Sequence, residues 1–344
     1  MKMRTAGSYL ILLCFWAATA WPQNFVSDVS KKGTSAASFL SIGQGARASA
    51  MGSAFVAVAD DPSAIYWNPA GLAGLSGAGV MFDHTQWIAG TKYNFVAATY
   101  GLGDWGTIGL SFTSSALGEM NVTTIDEPAG TGETFTASDV AVSVGYALQL
   151  TDNFSIGFNP KYVSQTIWKM NADAFAVDLG VQYRTPFPGI TLAMSISNFG
   201  SKMRLLGNST LVLYDLDTES SGNNERIPAH LETDEWALPL NFRVGLAYRP
   251  AIGDQHKVVL AIDAAHPSDN YESLNIGGEY TFDDLIAVRG GYKALFLQNS
   301  EESFTVGFGV KQLLIGNIGI QADYAFSDFG RLKSVQKVAL SIHF

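Results

Sequence analysis

The chain contains the stretch FTVGFGVK at residues 304–311, in which large apolar residues alternate strictly with small or polar ones. Successive side chains of a β-strand point to opposite faces, so this stretch predicts a strand with one apolar face and one small or polar face. The same alternation recurs at residues 140–148, 175–184, 242–249 and 318–326. The repetition predicts an all-β protein built from two-faced strands.

Two features favour a closed transmembrane barrel over a soluble sandwich, whose strands would alternate in the same way. The apolar faces often end in an aromatic residue, such as Tyr183 or Tyr248, and outer-membrane barrels carry aromatic girdles at both bilayer interfaces. Strands of about 9–11 residues are long enough to cross a bilayer when tilted, and the alternating segments reach that length. Closure is expected as well, because an open sheet edge would leave backbone groups unpaired in lipid.

The alternation predicts fourteen antiparallel strands, and bacterial outer-membrane barrels have an even number. The connections at one end are all short, whereas the other end holds both long ones, at residues 116–136 and 200–239. Such barrels have short periplasmic turns and longer external loops, so the long-loop end is expected to face outwards. The predicted strands span residues 78–88, 91–101, 105–115, 137–150, 153–167, 172–184, 189–199, 240–250, 256–266, 271–281, 284–297, 302–313, 316–326 and 332–344.

Composition excludes other classes of protein. The formal net charge of the 344 residues is −10 and no cluster of Lys or Arg occurs, so a nucleic-acid partner is not expected. The mean hydropathy is high, at +0.13. Beyond residue 20, however, no run of about 18 apolar residues appears, so a helical membrane protein is not expected either.

Residues 1–20 predict a cleaved secretory signal peptide, with the bacterial outer membrane as the destination of the barrel. Lys2 and Arg4 form its charged start, an apolar stretch follows, and ATA at residues 18–20 is a small-x-small cleavage site. A membrane-anchoring helix is the alternative, but the apolar stretch is short for one. The single cysteine, Cys14, lies inside this segment, so the mature chain is expected to hold no disulfide and no thiolate metal site.

The last predicted strand ends at Phe344, which shares one face with Val338, Leu340 and Ile342. A terminal Phe on an amphipathic strand resembles the assembly signal of bacterial outer-membrane barrels. We therefore expect Phe344 to act in barrel assembly, with a chance apolar terminus as the alternative.

The segment before the barrel, residues 21–77, is expected to form a plug, with the barrel itself at residues 78–344. The stretch GARASAMGSAFVAVA at residues 45–59 predicts a helix of small residues that can pack closely. Asp60 or Asp61 with Pro62 predicts the start of a second helix, and the Asn-Pro pair at residues 68–69 predicts its end.

The stretch ADDPSAIYWNPAGLA at residues 59–73 resembles the N-terminal plug of the FadL-like (OMPP1/FadL/TodX) outer-membrane barrels. Those families share an acidic pair and an Asn-Pro-Ala-Gly element before a fourteen-stranded barrel. Three further stretches resemble the narrower PorV/PorQ branch, namely SFLSIG at residues 38–43, MGSAF at residues 51–55 and LPLNFRVGLAY at residues 238–248. The segment ARA at residues 46–48 fits the same branch.

The resemblance implies two alternative functions. PorV-like members act in type IX secretion, where they hold exported proteins through external loops, and FadL-like members move long-chain fatty acids or other hydrophobic compounds through a side opening beneath the plug. We expect a secretion-associated, partner-binding barrel, with the hydrophobic transporter and an orphan structural barrel as alternatives. The expected partners are therefore outer-membrane lipid together with secretion proteins, exported cargo or a hydrophobic small molecule.

The expected plug fills a lumen whose walls are polar or small. Tyr and Trp suit that position, because their rings fill volume while the hydroxyl and the indole N–H find partners. Asn at the turn can bond the neighbouring backbone, and the small residues after it allow close approach to the wall. The predicted plug residues are Asp60, Asp61, Ile65, Tyr66, Trp67, Asn68, Pro69, Ala70 and Gly71.

Alternation also places charged side chains on the inner faces of the strands. They could form a polar pathway, with Arg243 and Arg289 as donors to a ligand carboxylate, or they could pair with one another and hold the plug. Mixed signs favour mutual pairing, because buried charges persist when they are paired. The predicted inward charges are Lys161, Asp178, Arg184, Arg243, Asp263, Glu279, Arg289, Lys293 and Asp323.

The long connection at residues 200–239 combines the apolar stretch LVLY at residues 211–214 with a polar, turn-rich stretch after it. A solvated surface lid is the simpler interpretation, and a partner-docking loop is the alternative, because long loops in compact folds are usually functional or disordered.

Neither catalysis nor a cofactor nor a metal site is predicted. None of the five histidines is spaced for metal binding, and the sequence has no His-Glu-x-x-His, no Gly-x-Ser-x-Gly and no phosphate-binding loop. Ser195 and Asp178 are expected on the lumen face, but no motif assigns them complementary catalytic roles.

Overall fold

The computed structural model describes residues 31–217, 219, 226–297, 300–313 and 318–344, so the predicted signal peptide at residues 1–20 lies outside the described residues. Fourteen long strands in these ranges form one antiparallel barrel, as the alternation predicts, and their bounds differ from the predicted ones by a few residues. They are β1 (Ala78–Gln86), β2 (Lys92–Gly101), β3 (Thr107–Ala116), β4 (Ala137–Thr151), β5 (Phe154–Ile167), β6 (Met170–Arg184), β7 (Ile190–Gly200), β8 (Asn241–Tyr248), β9 (His256–Pro267), β10 (Ser273–Phe282), β11 (Ile286–Leu295), β12 (Phe304–Leu313), β13 (Gly319–Asp328) and β14 (Ser334–His343).

The barrel closes between its first and last strands. Each strand pairs with the next along the chain, and β1 pairs antiparallel with β14, with Gly79 opposite His343 and Gln86 opposite Gln336. Closure leaves no open edge among the fourteen strands, so the predicted closed barrel is confirmed.

The two faces of the strands differ as the alternation predicts. In β12 the side chains of Phe304, Val306 and Phe308 are exposed on the outer surface, whereas Thr305 between them is buried. A soluble sandwich would bury its large apolar face instead. The outer apolar band is therefore suited to contact with lipid.

Residues 31–77 run through the lumen from the long-loop end to the short-turn end. At the long-loop end Ser35 Oγ donates a hydrogen bond of 2.6 Å to Asp269 Oδ2. At the other end Gly101 N donates to Gly77 O at 2.8 Å, beside the start of β1. Between these points the segment forms an apolar core against alanines of the wall, with Met51, Phe55, Ile65, Trp67 and Leu72 buried.

The predicted helix at residues 45–59 is wrong in its extent, because the helix covers only Ala46–Ala50. Gly52 and Ser53 then adopt positive φ angles of 63° and 64°, which end the helix. The wall supplies the replacement hydrogen bonds: Thr305 Oγ1 donates to Ala50 O and accepts from Gly52 N, both at 2.9 Å. Contact with β12 thus outweighs the local helix propensity of the small residues.

The remaining helical turns of the segment are short. They are Ser38–Ser41, Ala64–Trp67 and Pro69–Gly74, and the helix Ala64–Trp67 ends at Asn68, where the Asn-Pro pair predicts its end. No helix among the described residues is both long and apolar enough to cross a membrane.

Glycines line the wall where the backbone of the N-terminal segment touches it. A Cβ on Gly157 would lie 2.2 Å from Pro69 C, and one on Gly180 would lie 2.0 Å from Asn68 Oδ1. A Cβ on Gly277 would lie 2.1 Å from Met51 O. These distances are far below van der Waals contact, so a larger residue at any of the three positions would displace the segment.

The long external connections contain short strands that the sequence analysis did not predict. Within residues 200–239, Leu211–Tyr214 pairs with Ile227–His230 to form what we call the external hairpin. Met203–Arg204 pairs with Glu235–Trp236 at the base of the same loop. The loop therefore has regular structure in its described part.

Candidate functional site

The candidate site is the barrel interior, where Asn68 joins the N-terminal segment to the wall. Asn68 is buried, and its Nδ2 donates to Val56 O at 3.0 Å and to Val181 O of β6 at 3.1 Å. Its Oδ1 accepts from Ala70 N at 3.1 Å, which starts the turn Pro69–Gly74. One side chain therefore joins two parts of the N-terminal segment to the wall, and Pro69, Ala70 and Gly71 follow it in buried positions.

The aromatic pair before Asn68 packs inside the barrel. Trp67 Nε1 donates to Gln44 O at 2.8 Å, and Tyr66 Oη donates to Leu40 O at 3.1 Å. The two rings meet edge to face with centroids 5.1 Å apart. Both polar tips thus have partners, and the rings pack against each other inside the barrel. Ile65 is buried beside them, and Asn159 of β5 donates to its carbonyl.

Asp60 and Asp61 lie at the short-turn end around Arg47. Arg47 contacts Asp60 at 2.5 Å and Asp61 at 3.4 Å, and Arg249 reaches Asp60 from β8's end at 3.1 Å. Asp61 Oδ1 also accepts from Ser63 N at 2.9 Å, just before the helix Ala64–Trp67. Asp61 therefore holds the residue before this helix, and both carboxylates bind the guanidinium of Arg47.

Electrostatics of this cluster follow from burial and charge. Burial disfavours the charged form of Arg47, but the carboxylates around it outweigh burial and raise its pKa above the ordinary value. Burial raises the pKa of Asp61, although Arg47 opposes that shift.

A chain of ion pairs continues from Arg47 into the wall. Arg47 forms two hydrogen bonds of 2.8 Å with the Glu279 carboxylate of β10. Arg289 of β11 contacts Glu279 at 2.5 Å and Asp323 of β13 at 2.6 Å. Four alternating charges thus link the N-terminal segment to three strands of the wall.

A second buried pair lies on the opposite wall. Lys161 of β5 contacts Asp178 of β6 at 2.7 Å, and Asp178 Oδ1 accepts from Asn198 N at 2.7 Å. Asn198 has a positive φ of 63°, and the pairing of β6 with β7 shifts register between Val177 and Leu179. The bulge therefore directs a backbone N–H at a buried carboxylate.

The remaining predicted inward charges have different surroundings. Asp263 of β9 accepts from Phe55 N at 2.7 Å and Val56 N at 2.9 Å, so it binds the backbone of the N-terminal segment.

Lys293 contacts Glu302 at 2.5 Å near the long-loop end. Arg184 is exposed at the short-turn end. Arg243 lies over the Trp67 ring, with 5.1 Å between the guanidinium carbon and the ring centroid.

Sequence reasoning missed several residues that hold the interior together. Arg47 was noted only as part of a family-like stretch, and Lys337 of β14, which donates to Gly43 O, was not singled out. Lys337 shares the inner face with Val335 and Ala339, so a full count of inward positions would have found it. Arg47 itself could not be found in this way, because residues outside the strands follow no alternation.

Two cavities lie on either side of the N-terminal segment. The outer cavity, about 570 Å³, faces the long-loop end and is lined by residues including Trp67, Tyr93 and Arg243. The inner cavity, about 660 Å³, faces the short-turn end and is lined by residues including Arg47 and Glu279. The two cavities share no lining residue.

The described residues offer no group of three or more His, Cys, Asp or Glu arranged for a metal ion. Phe344 lies just beyond β14, where its N donates to Ala78 O at 2.8 Å and its side chain is exposed.

Comparison with known proteins adds a family and a fold. The family model for the type IX secretion system protein PorV matches residues 26–204, just over half of the chain. No curated protein sequence matches the chain.

Solved structures with the same fold include hydrocarbon transporters. The toluene transporter TbuX of Ralstonia pickettii is 14% identical, with 87% of this chain and 97% of that chain covered and a TM-score of 0.54. The toluene transporter TodX of Pseudomonas putida is 13% identical, with the same coverage and TM-score. The CymD monoaromatic hydrocarbon channel is 13% identical, covering 87% and 96% of the two chains with a TM-score of 0.51.

At these low sequence identities the solved structures establish only the fold. The match to the family model is a match of sequence, so it establishes the family. A closed barrel of fourteen antiparallel strands with an outer apolar band is an outer-membrane architecture. The chain therefore belongs to the PorV family, and it has the fold of a bacterial outer-membrane barrel.

Proposed function

We propose that this protein is a partner-binding barrel of type IX secretion, in which residues 31–77 plug the lumen and the external hairpin holds an exported protein. The hairpin carries the proposal. Its side chains Leu213 and Tyr214 are 58% and 55% exposed, and Leu216 beside it is 73% exposed. All three lie beyond the end of the barrel, on the side that faces outwards in outer-membrane barrels.

Exposed apolar side chains on a projecting hairpin favour a protein-binding role. Clustered apolar residues at a water-exposed surface mark interaction sites more often than single ones do. Leu211 lies two residues before Leu213 on the same strand, so these two exposed side chains share one face of the hairpin. The PorV family match supports an exported protein as the partner.

The lumen geometry supports partner binding over transport. The separate outer and inner cavities are lined by charged side chains such as Arg243 and Glu279. Passage of a hydrophobic molecule needs an apolar path, and the ion pairs that anchor the N-terminal segment oppose its opening. A plugged barrel that presents its outer loops is the better match to this arrangement.

The test replaces Leu211, Leu213 and Tyr214 by Ser and measures surface display of type IX-dependent proteins in the native host. We expect display to fall at least about tenfold, because about 1.4 kcal/mol of lost binding energy reduces affinity tenfold. The control is Ile125→Ser in the other long loop, since Ile125 is an apolar side chain that is fully exposed. Normal display in the triple variant, with the barrel assembled, would contradict the proposal.

Uptake of a hydrophobic molecule is the second candidate, and one observation favours it. A groove of about 570 Å³ lies on the lipid-facing wall of β4 to β8, lined by apolar side chains including Phe158, Leu179 and Met194. TbuX and TodX, which share the fold, are toluene transporters. Uptake of radiolabelled toluene by cells with and without this protein tests that alternative, and equal rates would exclude it.

A further inference from the structure

The two strands of the external hairpin expose backbone groups along their outer sides. Leu211–Tyr214 and Ile227–His230 form a sheet of only two strands among the described residues, so each strand has one side without a neighbouring strand. Unpaired N–H and C=O groups along such a side are a template for a further strand. The hydrogen bonds of the hairpin itself decide which residues direct these groups outwards.

The register of the hairpin fixes the direction of each backbone group. In an antiparallel pair, opposed residues alternate between those that exchange hydrogen bonds and those that exchange none. Leu231 N donates to Thr210 O at 2.9 Å, immediately before the first pair of the hairpin. Counting on from that bond, Val212 is bonded to the opposite strand, whereas the N–H and C=O groups of Leu211 and Leu213 point away from it.

The two edges of the hairpin differ in whether a strand can be added to them. On the strand Ile227–His230, the outward-pointing residues include Pro228, which has no N–H to donate. Proline and charged side chains are common means of preventing strand addition at a sheet edge. The outward groups of Leu211 and Leu213 have no such block, and no hydrogen bond within the described residues uses them. We call this side of the hairpin the leucine edge.

Side chains at the leucine edge indicate the chemistry of the segment that fits it. Leu211 and Leu213 are 48% and 58% exposed and lie on one face of the strand. The stretch DLDTE at residues 215–219 follows the strand and carries three carboxylates. These charges repel an acidic segment and favour Lys or Arg at one end of the segment. The leucine edge therefore suits an extended segment that is apolar on one face and basic at one end.

We propose that the leucine edge binds an exported protein by strand addition, in which an extended segment of that protein pairs with the backbone of Leu211 and Leu213. This inference rests on the proposed partner-binding function and adds the mode of recognition. Backbone N–H and C=O groups supply affinity for an extended chain, and alternate side chains supply specificity. One barrel can therefore hold exported proteins of different sequence, because the backbone pattern is common to all of them.

The test introduces Leu213→Pro into the full barrel and measures surface display of type IX-dependent proteins in the native host. Proline there removes an outward N–H but no hydrogen bond of the hairpin, since Pro228 occupies the same kind of position directly opposite. We expect display to fall at least about tenfold, because a carbonyl group of the added strand is left unpaired.

Two control variants keep the leucine edge open. Leu213→Val retains both the N–H and an apolar side chain, and Pro228→Val adds an N–H at the opposite edge of the hairpin. Both should display exported proteins at the wild-type level. A loss of display in Leu213→Val equal to that in Leu213→Pro would overturn the proposal, because the side chain rather than the backbone would then decide binding.

The same assay distinguishes strand addition from the proposed function. Reduced display in the triple serine variant of Leu211, Leu213 and Tyr214, with normal display in Leu213→Pro, would overturn strand addition and leave partner binding through side chains. Normal display in both variants would overturn the proposed function together with this inference.

Hydrogen exchange of the wild-type protein gives a second measurement, which does not depend on the folding of a variant. The two samples are the purified barrel alone and its complex with a surface-displayed protein from the native host. We expect the amides of Leu211 and Leu213 to exchange at least about tenfold more slowly in the complex, because strand pairing protects them from water. Equal exchange rates in the two samples would overturn the proposal. Protection in the barrel alone, with a dimer in light scattering, would also overturn it, because a second copy of this chain would then occupy the edge.

Discussion

Arg47 and Glu279 form a forked pair, with two hydrogen bonds of 2.8 Å, that fastens the N-terminal segment to strand β10. The pair is largely buried, and it lies between the Asp60–Asp61 cluster and Arg289. Both ends of the pair are therefore held in place by further charges. This contact is a direct link between the proposed plug and the wall.

Replacing Arg47 by Gln should loosen the segment and destabilise the barrel. The change removes a cation from the carboxylates of Asp60, Asp61 and Glu279. Breaking a buried ion pair lowers the free energy of unfolding, because it leaves a charge without its partner. We expect the free energy of unfolding in urea to fall by about 2–3 kcal/mol, somewhat less than a full buried-pair loss, because Glu279 keeps Arg289. Planar-bilayer conductance should rise in the same variant.

The matched control is Lys257→Gln, which breaks the exposed pair with Asp284 at the short-turn end. Exposed pairs contribute about 0–1 kcal/mol, so its effect should be small. An equal loss of stability in both variants would contradict the anchoring role of Arg47.

Gly180→Ala should displace the segment from the wall. The added Cβ would lie 2.0 Å from Asn68 Oδ1, and overpacking a closely packed interior costs about 1–3 kcal/mol. The control is Gly278→Ala, where a Cβ would meet Leu260 Cδ2 at 3.5 Å, an ordinary contact. Thermal unfolding of the two variants measures the difference. Equal stability of the Gly180→Ala and Gly278→Ala proteins would show that the segment is not closely packed against β6.

Replacing Asn68 and Pro69 together by Ala should raise permeability to small solutes. Asn68 supplies the hydrogen bonds to Val56 and Val181, and Pro69 begins the turn that follows. Conductance in planar bilayers measures the effect. Wild-type conductance in the double variant would instead favour a segment that only tethers the barrel.

Deleting Phe344 should reduce the assembled barrel with little effect on export. Its exposed side chain has no role in the interior, so the loss would report on assembly rather than on packing. Heat-modifiable mobility on gels measures the folded fraction, and an unchanged folded fraction would argue against an assembly signal.

The wild-type chain should fractionate with the outer membrane and begin near Trp21 after cleavage. Membrane fractionation and mass spectrometry of the mature N-terminus measure both. Recovery of the full-length chain with residues 1–20 attached would contradict the predicted signal peptide.

The strand pattern could be predicted from the sequence because it depends on local geometry. Phe304, Val306 and Phe308 share a face whatever their neighbours are, since alternate side chains of any strand point the same way. The even count of fourteen and the grouping of both long loops at one end follow from that periodicity together with the direction of the chain. Closure follows from the need to pair every backbone group in lipid.

The interior depended on contacts between residues far apart in the chain. The stretch at residues 45–59 has the composition of a helix, yet it stops after Ala50, because Thr305 bonds the backbone on either side of Met51. Alternation placed Glu279 and Arg243 in the lumen but could not choose their partners. Arg47 and Trp67 belong to the N-terminal segment, whereas Glu279 and Arg243 belong to the wall. Arg47 therefore binds Glu279, and Arg243 lies on Trp67, only because the segment runs inside the barrel. The sequence by itself thus determined the barrel, because the two-residue periodicity of each strand is local. The tertiary structure decided the contacts of the interior, because those depend on which distant residues meet.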